Sequence, residues 1–435
     1  MGRFNFSVSG GSNRRLFGTY TGSATKHHFI DASGAYATDT LGGDEEAVSA
    51  LLLQSMGSRR PVSDELSDVA REDFLDVVFS SDAGFGPCVN ADEYYCEGRS
   101  SGSEANELAL RLVWESQYNQ RTLKAHGSKR HKILGFRSAW HGWTSGVRRL
   151  TDRRYYAATD PPNAEPIVDF LPFGATDAIQ QYMTVNGSEL LAVVVEPVLG
   201  DGGIITPPDG FLSFLIAQAH SHGAFVVVDE VLTCLKGPTP IALQTQPPAD
   251  CPDIVVVGKG LGMGVSPMSL VFYRKELKSR ADLSISTFNL RPQWCSFVGG
   301  ALNYISRERL LSTASTANDT MRESIRQGIG DSLASVAEVR GYGCMTAIEL
   351  AGDARDYVQE ARRTLLSAGV YVEAVAGGGR RTRAMSGDEG RSGPALRVVM
   401  PLNAESSLLD DTADALVRGL DAFEQVQGQR RQPPS

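Results

Sequence analysis

The densest apolar run in the chain, Leu191-Ala-Val-Val-Val-Glu196, ends at Pro197 and a glycine-rich turn, the pattern of a buried strand that feeds a loop. Asp209 follows as a helix cap. Phe211, Leu212, Leu215, Ile216 and Ala219 then recur at helical spacing up to Gly223, which predicts a helix from about Gly210 to Ser221. Ala224-Phe-Val-Val-Val-Asp229 reads as the next strand, and Ile254 to Val257 as another. Strand, helix and strand in about 40 residues make a βαβ unit, whose crossover is right-handed almost without exception. Helical and strand patterns alternate from about residue 100 to 275, which predicts a mostly parallel sheet covered by helices. Such sheets bind ligands at the carboxyl ends of their strands. Glu196, Asp229, Glu230 and Lys259 all fall at or just beyond those ends.

The flanking segments differ. The first 50 residues, with many Gly and Ser, read as loop-like. Residues 301 to 430 predict a helix, a strand around Met345 to Leu350, another helix and a strand around Leu396 to Met400, together a smaller α+β domain. The expected division is therefore residues 1–50 as an N-terminal segment of the small domain, 51–300 as the large domain and 301–435 as the C-terminal small domain. Between Ala376 and Gly393 lies a Gly- and Arg-rich stretch with too few apolar residues to pack, which predicts a mobile loop. Gly428 to Ser435 reads as a frayed tail.

Composition narrows the function. With 435 residues, 42% hydrophobic and 21% charged, the chain has ordinary globular proportions. Its net charge of -9 argues against a nucleic-acid partner, which demands clustered Lys and Arg. The amino terminus has no apolar targeting core and no stretch reaches the ~18 apolar residues of a membrane helix, so no membrane partner and a cytoplasmic location are expected. Six scattered cysteines without C-x-x-C pairs read as reduced thiols, and no metal site is expected.

Three places carry candidate chemistry. Ser101-Gly-Ser-Glu-Ala-Asn-Glu107 opens a helix at a small, glycine-containing turn, where free N–H groups and the positive dipole end suit an anion. The same residues also suit a plain capped helix. Lys259 follows an apolar strand and precedes Gly260, Gly262 and Gly264, a dry position for an amine nucleophile, although a lysine merely exposed at a strand end has the same spelling. Asp229 beside Glu230 is either a solvated pair or, with Lys259, the partner of a pyridine nitrogen.

The joint order of these motifs is specific. S-G-S-E-A-N-E, W-H-G (Trp140 to Gly142), E-P-V-L-G-D-G-G (Glu196 to Gly203), D-E-V (Asp229 to Val231) and G-K-G (Gly258 to Gly260) resemble class III aminotransferases of pyridoxal 5′-phosphate (PLP) fold type I. Val339 to Gly343 and Leu396 to Asn403 add weaker matches. The resemblance implies an α/β large domain with a mostly parallel, seven-stranded type of sheet, a smaller α+β domain and PLP as cofactor. It implies that Lys259 forms an aldimine with PLP and shuttles the proton, and that Asp229 pairs with the ring nitrogen. On the same resemblance Trp140 would stack on one ring face and Val231 would pack on the other, with His141 and Glu196 also in the cofactor site. Gly102 and Ser103 would hold the phosphate, and Thr287 would reach it across a homodimer interface. Arg397 matches the arginine that grips a substrate carboxylate, and Asp201 the acidic partner that pairs with it when that carboxylate is absent.

The implied function is transfer of an amino group between a small amino-acid or amine donor and a keto acceptor. Leu232-Thr-Cys-Leu-Lys-Gly-Pro238 departs from the family pattern after D-E-V, and Leu232 cannot donate a hydrogen bond to the ring hydroxyl. The alternative is therefore other PLP carbanion chemistry: an aminomutase, racemase, decarboxylase, or an enzyme of carbon–carbon bond formation or γ-substitution on an amino acid. A catalytically idle PLP-binding protein is the reading from another class, and intact Lys259 and Asp229 argue against it.

Overall fold

The computed structural model describes residues 6–42, 46–58, 62–63, 66, 68–118, 130–152, 167–245, 250–277, 286–330, 333–375 and 394–431. The glycine- and arginine-rich stretch 376–393 lies outside the described residues.

The amino-terminal segment is not loop-like. It forms β1 (Phe6–Ser12), β2 (Arg15–Tyr20) and β3 (His27–Asp31), and a helix follows at Glu46–Ser55. Asn13 and Arg14 join β1 to β2 with both φ angles positive, 44° and 65°, the backbone of a two-residue hairpin turn in which asparagine is favoured. The glycines that suggested a loop leave room for cross-strand rings. A Cβ on Gly18 would lie 2.5 Å from the Phe6 ring, and one on Gly10 would lie 2.7 Å from the Phe17 ring. Phe6 then meets Tyr20 and Phe29 edge-on, with centroids 4.9 and 5.5 Å apart.

The large sheet comprises β4 (Tyr94–Arg99), β5 (Lys132–Phe136), β6 (Ile167–Leu171), β7 (Leu190–Val195), β8 (Phe225–Glu230), β9 (Ile254–Val257) and β10 (Ser269–Arg274). Its order is β4-β10-β9-β8-β7-β5-β6. Strand β10 runs antiparallel to both neighbours, and β9, β8, β7, β5 and β6 are parallel. Both faces are buried. Val193, Val195, Val226 and Val228 belong to one core, while Ala192, Val194 and Val227 face another that includes Leu108 and Leu112 of the helix Gly102–Glu115. That double burial is why β7 and β8 read as continuous apolar runs without polar alternation. The helix between them is Phe211–Ser221; its cap is Gly210, with φ 75° and no side-chain cap bond, so Asp209 lies one residue outside the expected role.

The rest of the chain contributes β11 (Val336–Tyr342), β12 (Met345–Leu350), β13 (Val370–Tyr371), β14 (Glu373–Val375) and β15 (Ala395–Val399). Strands β11-β12-β15-β14 form an antiparallel sheet, and β13 extends the amino-terminal sheet by pairing in parallel with β3. Two helices, Pro292–Arg307 and Leu310–Ile329, precede β11 where one was expected. The tail is also helical further than expected: Ser406–Arg431 is one helix that buries Leu408, Leu409, Leu416, Leu420 and Phe423, and residues 432–435 lie outside the described residues. Ile30, Ile325, Ile348, Leu365, Val370, Leu396 and Leu416 share one core. Among the described residues, no helix is long and apolar enough to cross a membrane.

At the edge away from the strand carboxyl ends, His220 at the end of its helix bonds Asp250 through Nδ1 and Asp253 through Nε2, the latter at 2.9 Å. The Asp253 bond raises the His220 pKa against the opposing effect of burial. A raised folded-state value means the stabilisation is complete below the unfolded value near ~6.5 and is lost as pH rises through the folded one. We expect His220→Gln to lower the melting temperature at about pH 5.5 and to match the parent at about pH 9. Thermal denaturation across that range checks this, and equal deficits at both ends contradict it.

Candidate active site

Three strand ends build the site. Beyond β7, Glu196 is buried, with Oε1 accepting from the Trp140 N–H at 2.9 Å and Oε2 from the Gly200 N–H at 3.0 Å. Burial pushes its carboxyl up to about 7, against the lowering effect of the His141 charge. At the end of β8, Asp229 and Glu230 are both buried, so neither is the solvated loop carboxylate that the sequence also allowed. They do different work. Glu230 accepts from the Thr233 hydroxyl and from the N–H groups of Ala242 and Leu243, at 2.9 and 2.8 Å, which staples the loop after β8. Burial raises its carboxyl to about 7.

Asp229 instead faces the site. Its Oδ2 lies 2.8 Å from His141 Nδ1 and accepts from Asn106 Nδ2 at 2.8 Å, and its Oδ1 accepts from the Val231 N–H at 3.0 Å. Asn106 Nδ2 also donates to the His141 carbonyl at 3.0 Å, which locks helix, W-H-G turn and strand together. Burial pulls the His141 imidazole down, but the Asp229 hydrogen bond and charge outweigh it and leave its pKa raised.

Asn106 was not singled out in the sequence reading. The signal was present: Ala105, Leu108, Ala109, Leu112 and Val113 are the buried face of that helix, and Asn106 is a polar residue buried among them. A buried amide needs a partner, and Asp229 is that partner.

Lys259 lies two residues beyond β9, half-buried, with φ 42°. Such a left-handed backbone is uncommon for a residue with a side chain. The flanking glycines make it feasible, since a Cβ on Gly260 would lie 2.5 Å from the Cys234 carbonyl and one on Gly258 2.5 Å from the Ser269 hydroxyl. Among the described residues, the Lys259 amine has no hydrogen-bond partner. Burial lowers its pKa first, and the Arg397 charge lowers it further.

The S-G-S turn caps the helix Gly102–Glu115, with Ser101 Oγ accepting from the Glu104 N–H at 3.2 Å. Gly102 and Ser103 occupy the first two helical positions, whose N–H groups have no helical carbonyl to bond. The cradle is tight: a Cβ on Gly102 would come within 2.7 Å of Val231 Cγ1, and one on Gly142 within 2.6 Å of Ser103 Oγ. Trp140 is half-buried on the W-H-G turn, and Thr287 is exposed in the turn before the helix Pro292–Arg307. Neighbouring Ser286 lies 3.5 Å from Glu104 of the capped helix. Arg397 on β15 is buried, with Nη1 donating to Asp201 Oδ1 at 3.1 Å and Nε to Glu373 Oε2 at 3.0 Å. Glu373 gave no sequence signal, because its place beside β15 follows from sheet pairing alone.

A family model described as aminotransferase class-III matches residues 89–385. The chain belongs to the class III aminotransferases. It is accordingly a PLP-dependent transferase. Similar solved structures include the ornithine aminotransferase from Toxoplasma gondii, with 20% identity, 98% of this chain and 93% of that one covered, and a TM-score of 0.78. The acetylornithine aminotransferase from Elizabethkingia anophelis is 19% identical over 97% of this chain and 96% of its own, with a TM-score of 0.74. A thermostable omega transaminase variant from Pseudomonas jessenii is 18% identical over 97% and 94%, with a TM-score of 0.78. At these identities the likeness is one of fold, and it includes the α/β architecture with the large, mostly parallel seven-stranded sheet.

The residues present fit PLP. A buried carboxylate suits a protonated ring nitrogen, free helix N–H groups suit a phosphate, and an unpartnered, half-buried amine suits an aldehyde carbon. Replacing Asn106 by Leu removes a hydrogen bond from a buried charge, so PLP affinity should fall about tenfold or more. Spectroscopic titration of apoprotein with PLP measures this, and unchanged affinity would detach Asn106 from the Asp229 site.

Proposed function

We propose that the protein transfers an amino group between a small amine or amino-acid donor and a keto acceptor, with Lys259 as the residue that binds the cofactor and moves the proton. The observation that carries this reading is the Lys259 amine, half-buried and without a hydrogen-bond partner among the described residues, on the same rim as the buried Asp229 carboxylate. When bound, PLP supplies an electron-poor ring that accepts the electron pair left as a substrate carbon loses its proton.

The chain's own groups divide the remaining work. Asp229, held by Asn106, His141 and the Val231 N–H, would keep a positive charge on the ring nitrogen. Gly102 and Ser103 would hold the phosphate with backbone N–H groups, and Trp140 and Val231 would confine the ring between them. Glu196 would fix the W-H-G turn through the Trp140 N–H. Burial lowers the Lys259 pKa, which favours the neutral amine that a proton acceptor must be.

The working unit in this reading is a homodimer, with Thr287 of the partner subunit completing the phosphate site. Exposed Thr287, Phe288 and Trp143 support a covered surface here, the last two being large apolar residues 61% and 71% exposed. Sedimentation velocity on the holoenzyme should give a dimer, and a monomer that retains full activity contradicts that part.

The test of the reaction is a single turnover. Holoenzyme mixed with an amine donor should lose the absorbance of its aldehyde-derived form and regain it on addition of a keto acid. Lys259→Ala should slow that half-reaction by about 10²–10⁴-fold, with partial rescue by a small exogenous amine. An amine screen that yields no such exchange overturns the proposal.

A further inference from the structure

Arg397 is held by two carboxylates of different origin. Glu373 is its directly paired residue across the β14–β15 ladder, so backbone register delivers that carboxylate to the guanidinium. Its Oε2 takes both Nε and Nη2, the edge with which an arginine ordinarily forks onto a carboxylate. On the other side of β15 the paired residue is Ala347, which brings no competing charge. Asp201 comes instead from the turn after β7 and meets only Nη1, at 3.1 Å. The side chains of Arg397 and Glu373 are 5% and 8% exposed, against 23% for Asp201.

The two contacts therefore differ in permanence. Asp201 is carried by a turn and is partly open to solvent, so a ligand can displace it. Glu373 is fixed by sheet hydrogen bonding and buried, and moving it away would strand an unpaired charge in the interior. One guanidinium between two carboxylates also leaves one negative charge in surplus. Arg397, Asp201, Glu373 and Glu196 are the charged groups that act most strongly on the Lys259 amine, so this surplus lies beside the reacting centre.

We propose that Glu373 is a specificity-determining residue that keeps Arg397 occupied, so that the site selects donors whose non-reacting end is uncharged or cationic and disfavours those whose non-reacting end is a carboxylate. This rests on the aminotransferase reading of the same site. A carboxylate entering here meets one edge of Arg397 already filled and Glu373 as a like charge. An alkyl end meets no such penalty, and an ammonium end gains from the surplus carboxylate.

The experiment uses holoenzyme and three donors of equal chain length: pentylamine, 1,5-diaminopentane and 5-aminopentanoate. Half-reaction rate constants at low donor concentration should favour each of the first two over 5-aminopentanoate by about tenfold or more, the scale of a like-charge juxtaposition. Glu373→Gln should shrink that ratio by about tenfold. A wild type that uses 5-aminopentanoate as well as the other two, or a ratio unmoved in Glu373→Gln, overturns the assignment. Calorimetric titration with pentanoate, which has no amine to react, gives a second readout: the wild type should bind it about tenfold more weakly than Glu373→Gln. Equal binding overturns the assignment. Silence with all three donors speaks against the aminotransferase reading, while the pentanoate comparison still decides the role of Glu373. Should Glu373→Gln fail to fold, the donor ranking in the wild type decides alone.

Discussion

An ionised carboxylate taken out of water is destabilising unless donors surround it, and the Asp229 site is arranged around that constraint. Its donors come from three separate pieces of chain: Asn106 on a helix, His141 on the turn after β5, and the Val231 N–H immediately beyond β8. Only a sheet that brings β5, β7 and β8 together with the helix Gly102–Glu115 packed on it can gather them. Asn106 makes the dependence reciprocal, since the same amide that bonds Asp229 also bonds the His141 carbonyl. The buried Asp229 carboxylate is thus also a fastening between elements.

Lys259 depends on a second set of contacts that begin far away in the chain. Its loop is held by the Gly260 carbonyl, which accepts from the Thr40 hydroxyl at 2.8 Å, and Thr40 in turn accepts from the buried Lys236 amine at 2.8 Å. Burial lowers the Lys236 pKa. The amino-terminal segment therefore forms part of the wall behind the Lys259 loop. Its attachment to β13 through β3, with Ile30 opposite Val370, ties that wall to the carboxyl-terminal core. Thr40, a buried lysine and a glycine-flanked lysine form one mechanical unit across more than 200 positions of sequence.

The surroundings of Arg397 follow a different logic from those of Asp229. Around Asp229 three groups converge on one anion, whereas around Arg397 two anions compete for one cation. A cofactor site needs a fixed charge. A site that admits different partners in turn needs a contact that yields, and the turn-borne Asp201 has the exposure for it while the strand-borne Glu373 does not.

Much of this was legible in the chain, and the reasons for success and failure are specific. The runs at β7, β8 and β9 declared themselves because strands buried on both faces are apolar throughout, and Glu196, Asp229 and Lys259 stood out as polar residues where those runs stop. The capped helix at Gly102 was spelled by local chemistry, since capping involves residues only three apart. The amino-terminal strands were missed because their glycines, ordinarily loop residues, are there to admit rings from neighbouring strands. The tail was misread at Gly428 because that glycine lies inside the helix Ser406–Arg431 and does not end it. Local patterns thus determined the strand ends, the capped turn at Gly102 and the position of Lys259 just beyond β9. Which carboxylate fills the edge of Arg397, and which amide steadies Asp229, were decided by strand register and helix packing. Those are relations between residues 24 and 123 positions apart, and a linear sequence does not write them down.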